Sequence, residues 1–273
     1  IKALTLPGEQ VLVQTPVYNC FFSSIKNQGC QILENRLVRA DDHYVIDWDD
    51  FEQKCAEEKT TVFQLCNPHN PGGRVWTKDE LEKMGAICAK HHVFVISDEI
   101  HCELVMPGYK FTPFAAVSEV NLHNSVTLSS PSKSFNTAGL QIANIICEDN
   151  EVRRRIDRVV NIFEVCDVNP FGPIALKAAY NESEDWLDAL NEYIWGNYQL
   201  LRDTLAQKLP QLKVMKLEGT YLAWVDISSL GINSDAVTEK LLRDGHVFVS
   251  SGTLYGREAG EGFIRVNLAC PRA

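Results

Sequence analysis

Three short apolar runs in the middle of the chain constrain its fold more than any other feature. They are TVFQLC from residue 61, VFVIS from residue 93 and SVTLSS from residue 125. Each run is continuous rather than alternating, which is typical of strands covered on both faces. TKDELEKMGAICAKHH lies between the first two and has the threonine cap, early acids and late bases of a helix. The pattern predicts the centre of a mostly parallel α/β sheet with helices on both faces.

Other segments extend this sheet and predict a second, smaller unit. Further strand candidates are VLV at residue 11, QIL at 31 and ANIIC at 143. From about residue 150, long amphipathic helical segments replace the alternation. Strand candidates follow at KVMKL, YLAWVDI, VFVSSG and FIRVNLA, with a helix near SDAVTEKLLRDG. We therefore expect a large domain over residues 1–183 and a smaller α+β domain over residues 184–273.

Composition and charge narrow the classes of function. The chain has 273 residues, is 45% hydrophobic and carries a formal net charge of -10. That charge argues against nucleic-acid binding, because such proteins present a basic face to phosphates. No apolar run approaches the roughly 18 residues that a membrane-spanning helix needs. Nine dispersed cysteines without a C-x-x-C pair favour the reducing cytoplasm and argue against a disulfide framework.

Three polar segments follow the predicted strands, at the edge where open α/β sheets bind ligands. They are NPHNPGG at residues 67–73, SDEIH at 97–101 and SSPSKSFNTAGL at 129–140. Taken singly, they are typical of a turn, a helix cap and a solvated loop. A helicase reading of SDEIH requires a phosphate-binding loop upstream, and the chain has none. A metal site is not expected either, because the nearby acids and histidines lack ligand spacing (His91, His92, Asp98, His101).

Taken together, the three segments resemble a known family. NPHNPGGRVW, SDEIHCELVMPGYKFTPF and SPSKSFNTAGLQIANI are similar to the fold-type I pyridoxal-phosphate (PLP) enzymes of the class I/II aminotransferase superfamily. Within it they look most like the cystathionine β-lyase and cystalysin branch, the MalY/PatB type. The resemblance extends from TPVYNCF to FIRVNLACPR. It implies PLP as the cofactor, and it implies that the family's N-terminal arm, glycine-containing phosphate loop and last helix lie outside this sequence, so that both domains are expected to be truncated.

The resemblance also implies roles for particular residues. Lys133 matches the lysine that attaches PLP and moves protons at the substrate Cα. Asp98 matches the carboxylate that keeps the pyridine nitrogen protonated. Asn70 matches the side chain that binds the ring oxygen, and Tyr18 matches the aromatic residue that stacks on the ring.

Other matches concern the phosphate and the substrate. Ser130 matches a phosphate-binding hydroxyl, which Ser132 would assist. Arg265 matches the arginine that binds the substrate α-carboxylate with a bidentate fork. Two positions depart from most aminotransferases: Gln141 replaces an arginine on the phosphate, and His101 replaces a tyrosine on the ring oxygen. His101 favours the lyase branch and is expected to lie at the cofactor.

These matches imply a PLP-dependent carbon–sulfur β-lyase that acts on L-cystathionine or related cysteine S-conjugates. An aminotransferase remains the alternative, because both reactions begin with removal of the Cα proton and spacing does not separate them. Trp76 in NPGGRVW and the DEIH segment favour the lyase by resemblance. A non-catalytic regulatory protein of the same fold is a third hypothesis. The family further implies a homodimer, with a small amino-acid substrate and no nucleic-acid or membrane partner.

Overall fold

A twisted six-stranded sheet forms the centre of the larger part of the molecule in the computed structural model, which describes residues 1–272. The strand order is β2-β1-β5-β6-β7-β8, with every neighbouring pair parallel except β7 and β8. The three continuous apolar runs are the adjacent strands β5, β6 and β7, so their predicted central position is confirmed. The strands are β1 (Gln10–Thr15), β2 (Gln31–Arg36), β5 (Thr60–Cys66), β6 (Phe94–Asp98), β7 (Ser125–Ser129) and β8 (Asn144–Ile146), and a separate hairpin consists of β3 (Val38–Ala40) and β4 (His43–Val45).

Helices cover both faces of the sheet, as the sequence predicts. Alternate residues of β1 show this directly: Leu12 belongs to one buried apolar cluster, whereas Val11 and Val13 belong to another. The helix predicted between β5 and β6 begins with a capping box, in which Thr77 and Glu80 bind each other's backbone N–H groups. The helices are α1 (Asn19–Lys26), α2 (Trp48–Cys55), α3 (Lys78–Lys90), α4 (Glu119–His123), α5 (Asn150–Ile162), α6 (Gly172–Glu182), α7 (Glu184–Lys208) and α8 (Ser234–Gly245), with short 3-10 turns at Phe114–Ala116, Ala138–Leu140, Ser228–Leu230 and Gly252–Tyr255.

A four-stranded antiparallel sheet follows in the last third of the chain. Its order is β11-β12-β10-β9, formed by β9 (Lys213–Val214), β10 (Leu222–Asp226), β11 (Ser250–Ser251) and β12 (Phe263–Asn267). All four predicted strands exist, but β9 and β11 are shorter than KVMKL and VFVSSG suggest. The reason is that two N–H groups in these segments bind partners outside the sheet. The N–H of Lys216 donates to Asp42 O at 2.7 Å, and the N–H of Val247 donates to Leu241 O in α8 at 3.1 Å.

The boundary predicted at residue 183 falls between α6 and α7. The division into two domains at this point stays a prediction. Hydrogen bonds connect the segment after β6 with the segment before β10, including Thr220 N–H to Leu104 O at 2.8 Å. Within residues 1–272, no helix has the length and apolar character needed to cross a membrane.

Candidate active site

A cavity of about 290 Å³ opens at the carboxyl edge of the central sheet. The strands β1, β5, β6 and β7 are neighbours and parallel, so the residues that follow them meet at this edge. Tyr18, Asn70, Asp98 and Lys133 come from these four strand ends, and all four line the cavity. The other lining residues are Cys66, Ile100, His101, Ser132, Tyr221, Leu222, Arg265 and Asn267.

Lys133 lies half-buried in the turn after β7. The residues on its C-terminal side fix this turn: Ser134 donates to Glu103 Oε2 at 2.6 Å, and the Phe135 ring stacks on Trp186 with 5.8 Å between centroids. In the described part of the chain, Lys133 Nζ has no hydrogen bond and no ion pair. The turn is therefore held in place, and it presents the unpaired side-chain amino group of Lys133 to the cavity.

Asp98 is the last residue of β6 and faces the same cavity. One carboxylate oxygen accepts the Ile100 N–H at 3.2 Å. Burial raises the pKa of Asp98 to about 6, against the opposing effects of this hydrogen bond and the Lys133 charge. Among residues 1–272 no cation lies within ion-pair distance of this carboxylate, so it is suited to pair with a cationic ligand atom.

Asn70, which follows β5, and Arg265, which lies in β12, form a hydrogen bond at the cavity. Asn70 is buried, and its Oδ1 accepts from Arg265 Nη1 at 3.2 Å. The guanidinium of Arg265 also lies over the Tyr255 ring, 4.6 Å from its centroid. Across the described residues, no carboxylate lies within 4.0 Å of this guanidinium. Because a half-buried cation without an anion is unfavourable, the arrangement is suited to an anionic ligand.

His101 lines the cavity and is buried, at 3% exposure. Burial lowers its pKa to about 3, and the positive charges of Lys133 and Arg265 lower it further in the same direction. The imidazole is therefore neutral at physiological pH. Its Nδ1 has no hydrogen-bond partner within the described chain, and its ring meets Tyr221 edge to face at 5.5 Å. An unpartnered buried nitrogen is costly, which indicates a ligand atom as its partner.

Tyr18 immediately precedes α1 and contributes the aromatic wall of the cavity. Its ring meets Phe21 edge to face, with 6.1 Å between centroids. Burial raises the pKa of the Tyr18 phenol, and a hydrogen bond with Cys20 acts in the same direction. The phenol is therefore protonated, and the ring is held against the apolar cluster that includes Phe21.

The structure places the two serines predicted to bind the phosphate, Ser130 and Ser132, differently. Ser132 lines the cavity, whereas Ser130 is buried and donates its hydroxyl proton to Ile142 O at 2.7 Å. Ser130 Oγ also accepts the Ser132 N–H at 3.1 Å, so it orders the turn that carries Lys133. Gln141 is exposed and does not line the cavity. The assignment of Ser130 to the phosphate stays a prediction.

Sequence reasoning missed two prominent cavity residues, Tyr221 and Asn267. Asn267 was accessible from the pattern, because it lies two residues after Arg265 on the same face of β12. Tyr221 gave no such signal, since it precedes β10 in what reads as an ordinary apolar strand. Trp76, which the sequence associates with the lyase branch, is fully buried and donates its Nε1 proton to Cys66 O at 2.9 Å. Its place in this structure is in the core beneath the cavity.

Comparisons with known proteins match the whole chain to one family. The family model "Aminotransferase class I and II" matches residues 1–273. Cystathionine beta-lyase PatB of Bacillus subtilis (strain 168) is 41% identical over 273 residues, covering 100% of this chain and 70% of that protein. Protein MalY of Escherichia coli (strain K12) is 34% identical over 277 residues, covering 100% of this chain and 69% of that protein.

Two solved structures show the same fold. Cystalysin from Treponema denticola, which contains pyridoxal 5'-phosphate, superimposes with a TM-score of 0.96 at 36% identity, covering 99% of this chain and 69% of that chain. The PLP-bound C-S lyase from Staphylococcus hominis gives a TM-score of 0.91 at 32% identity, covering 99% of this chain and 68% of that chain. The fold is that of the fold-type I PLP-dependent transferases, as the sequence predicts, and the chain belongs to the class I and II aminotransferase family.

Proposed function

We propose that this protein is a PLP-dependent carbon–sulfur β-lyase. Its substrates are L-cystathionine or related cysteine S-conjugates, and its products are pyruvate, ammonia and a thiol. The observation that carries the proposal is one cavity lined by the free amine of Lys133, the carboxylate of Asp98 and the guanidinium of Arg265. The similarity to PatB and to PLP-bound C-S lyases supports the same function.

The residues of the cavity fit PLP. Asp98 would hold the pyridine nitrogen as a charge-assisted pair, and Tyr18 would cover the ring face. Asn70 and the unpartnered Nδ1 of His101 would bind polar atoms of the ring. Lys133 would attach the aldehyde. Ser132, with Ser130 as the predicted partner, would bind the phosphate.

When bound, PLP accepts the electron pair that remains after a proton leaves the substrate Cα. Arg265 binds and orients the α-carboxylate, because its guanidinium has no carboxylate partner among residues 1–272. Lys133 takes the Cα proton as a general base and donates a proton to the departing thiolate. Asp98 stays ionised when it faces a protonated ring nitrogen, since an adjacent positive charge lowers a carboxyl pKa.

Turnover without an amino acceptor separates the lyase from the alternative aminotransferase. We would incubate the PLP-loaded protein with L-cystathionine, L-cystine or L-cysteine without a keto acid, and follow pyruvate, ammonia and thiol. A lyase releases pyruvate repeatedly, with the three products in equal amounts. Lys133→Ala is the matched inactive control. Turnover that strictly requires an added keto acid would assign the protein to the aminotransferases instead.

A homodimer is also proposed. Six apolar side chains from the end of α5 to the first turn of α6 are 50–67% exposed: Ile162, Phe163, Val165, Val168, Phe171 and Ile174. Exposed apolar side chains concentrated in one segment are typical of an interface. Analytical ultracentrifugation should show a dimer that Phe171→Asp weakens; a monomer at micromolar concentration would contradict it.

We further propose a cytoplasmic location, on the basis of the dispersed cysteines, and cell fractionation tests it.

A further inference from the structure

Tyr221 lies in a wall shared by two cavities. A second cavity of about 360 Å³ adjoins the first, and both are lined by Ser132, Lys133, Tyr221 and Asn267. The remaining walls of the second cavity are mainly aromatic and apolar: Asn136, Ala138, Trp186, Leu190, Tyr193, Ala269, Cys270 and Pro271. Among residues 1–272, Lys133 is the only Lys, Arg, Asp or Glu in its lining. The second cavity is therefore suited to an uncharged, apolar group attached to a substrate held at Lys133.

A buried ion pair anchors the chain three residues before Tyr221. Glu218 Oε2 accepts from Arg74 Nε at 3.0 Å and from the Val75 N–H at 2.9 Å. The two charged side chains are only 7% and 8% exposed. Arg74 also donates from Nη2 to both carboxylate oxygens of Glu80, at 3.0 Å each. The 218–221 segment is thereby fixed to the loop that contains Asn70.

The backbone between Glu218 and Tyr221 has little freedom to move. The N–H groups of Glu218 and Gly219 donate to Gly73 O at 2.8 and 3.1 Å. A Cβ on Gly219 would lie 2.8 Å from Val75 Cγ2, so the chain passes so close to the loop that contains Val75 that only glycine fits without a shift. Thr220 is fully buried with a φ of 71°, a conformation that a β-branched residue adopts only when its surroundings impose it.

A second loop holds the segment from the opposite side. Met106 N–H donates to Glu218 O at 2.9 Å, and Thr220 N–H donates to Leu104 O at 2.8 Å. Met106 and Leu104 belong to the stretch that follows Asp98 and His101. The Tyr221 ring then meets His101 edge to face at 5.5 Å. Because the segment is bound on both sides, Glu218 and Tyr221 are held in a fixed position relative to each other.

We propose that Tyr221 determines specificity for the S-substituent of the substrate, and that the Arg74–Glu218 ion pair is the device that positions it. This inference rests on the lyase function proposed above and adds a substrate class to it. Tyr221 contacts the substituent as it enters the second cavity. A neutral aromatic substituent is favoured over the zwitterionic homocysteine part of L-cystathionine, since a zwitterion loses its hydration there without gaining charged partners.

The test compares kcat/KM for S-benzyl-L-cysteine with kcat/KM for L-cystathionine. In Tyr221→Ala and in Glu218→Gln the ratio should fall on the order of tenfold, within the usual range of coupling between contacting groups. The double variant should fall no further than Tyr221→Ala alone. Asp226→Asn is the matched control, because it breaks the 2.5 Å ion pair with Arg39 at the other end of β10, and it should leave the ratio unchanged.

Each outcome decides one part of the proposal. An unchanged ratio in Tyr221→Ala overturns the specificity role, and additive effects in the double variant overturn the positioning role. A purely structural role of Glu218 would lower kcat through a smaller active fraction and leave the ratio and KM intact. If Glu218→Gln does not fold, Arg74→Lys tests the same ion pair, because lysine keeps the positive charge but replaces the guanidinium, whose Nε donates to Glu218, with a single ammonium group.

Failure of the lyase function gives a different result. Wild-type protein would then release no pyruvate from either compound. The same variants would be compared by the dissociation constants of the two amino acids, read from the change in cofactor absorbance. Loss of discrimination in Tyr221→Ala would still support its role in specificity, and equal discrimination in all variants would refute it.

Discussion

Arg265→Lys is expected to weaken substrate binding while leaving the cofactor in place. Arg265 Nη1 donates to Asn70 Oδ1 at 3.2 Å, and the guanidinium lies 4.6 Å from the centre of the Tyr255 ring. Lysine keeps the positive charge but replaces a planar fork with a single point donor. The substitution therefore removes a hydrogen bond and preserves most of the charge attraction.

The magnitude follows from the number of bonds lost. A bidentate guanidinium makes two charge-assisted hydrogen bonds to a carboxylate, and an ammonium replaces one of them at best. A hydrogen bond to a charged group contributes about 1.5–3 kcal/mol. The KM for a cysteine S-conjugate should accordingly rise about ten- to 150-fold.

The assay measures KM and kcat from initial rates of pyruvate release, alongside the visible absorbance of the bound cofactor. Arg243→Lys is the control, because this exposed arginine pairs with Asp244 on the surface of α8. Wild-type KM in Arg265→Lys would refute the role of Arg265 in carboxylate binding. Arg265→Met should abolish activity without lowering the free energy of unfolding, because it removes a half-buried cation that lacks a carboxylate partner within residues 1–272.

Two further predictions concern stability. Because burial raises the pKa of Asp98 from 3.8 to about 6, the protonated carboxyl favours the folded cofactor-free protein; this stabilisation is complete below pH 3.8 and is lost as the pH rises through 6. Asp98→Asn should remove that part of the pH dependence of the urea midpoint, and an unchanged profile would contradict it. Gly219→Ala places a Cβ 2.8 Å from Val75 Cγ2 and 3.1 Å from Leu104 O, and should lower the free energy of unfolding by about 1–3 kcal/mol. Urea denaturation measures this, and a wild-type midpoint would show that the packing there is looser than described.

The central sheet was predictable because burial on both faces leaves a direct mark on sequence. Strands β5, β6 and β7 are buried along most of their length, and the parallel connection between β5 and β6 carries a helix with a complete capping box. The ends of β9 and β11 were not predictable. Lys216 in KVMKL and Val247 in VFVSSG lie in strand-like sequences, yet their N–H groups bind Asp42 and Leu241, which are distant or helical partners that no local pattern specifies.

Some residues of the candidate site were also predictable from the sequence, and others were not. Asp98 and Lys133 were predictable because strand ends at one edge of a parallel sheet converge, and the family resemblance supplied their roles. Tyr221 was not predictable. Its proposed positioning depends on the ion pair between Glu218 and Arg74, which lie 144 residues apart in the chain. Ser130 has the residue type expected for a phosphate ligand, but its hydroxyl proton is already bound to Ile142 O. Only tertiary structure shows which donors remain free.

Locating the attachment site of the cofactor is the most direct test of whether Lys133 binds PLP. We would load the protein with PLP, record the visible absorbance, treat it with borohydride and locate the reduced cofactor by peptide mass spectrometry. We expect the absorbance to disappear on reduction and the label to lie on Lys133, with no label in Lys133→Ala. Asn136, which lines the neighbouring cavity, provides a control in Asn136→Ala that should retain the label. A label on another lysine, or no absorbance after PLP loading, would contradict the account.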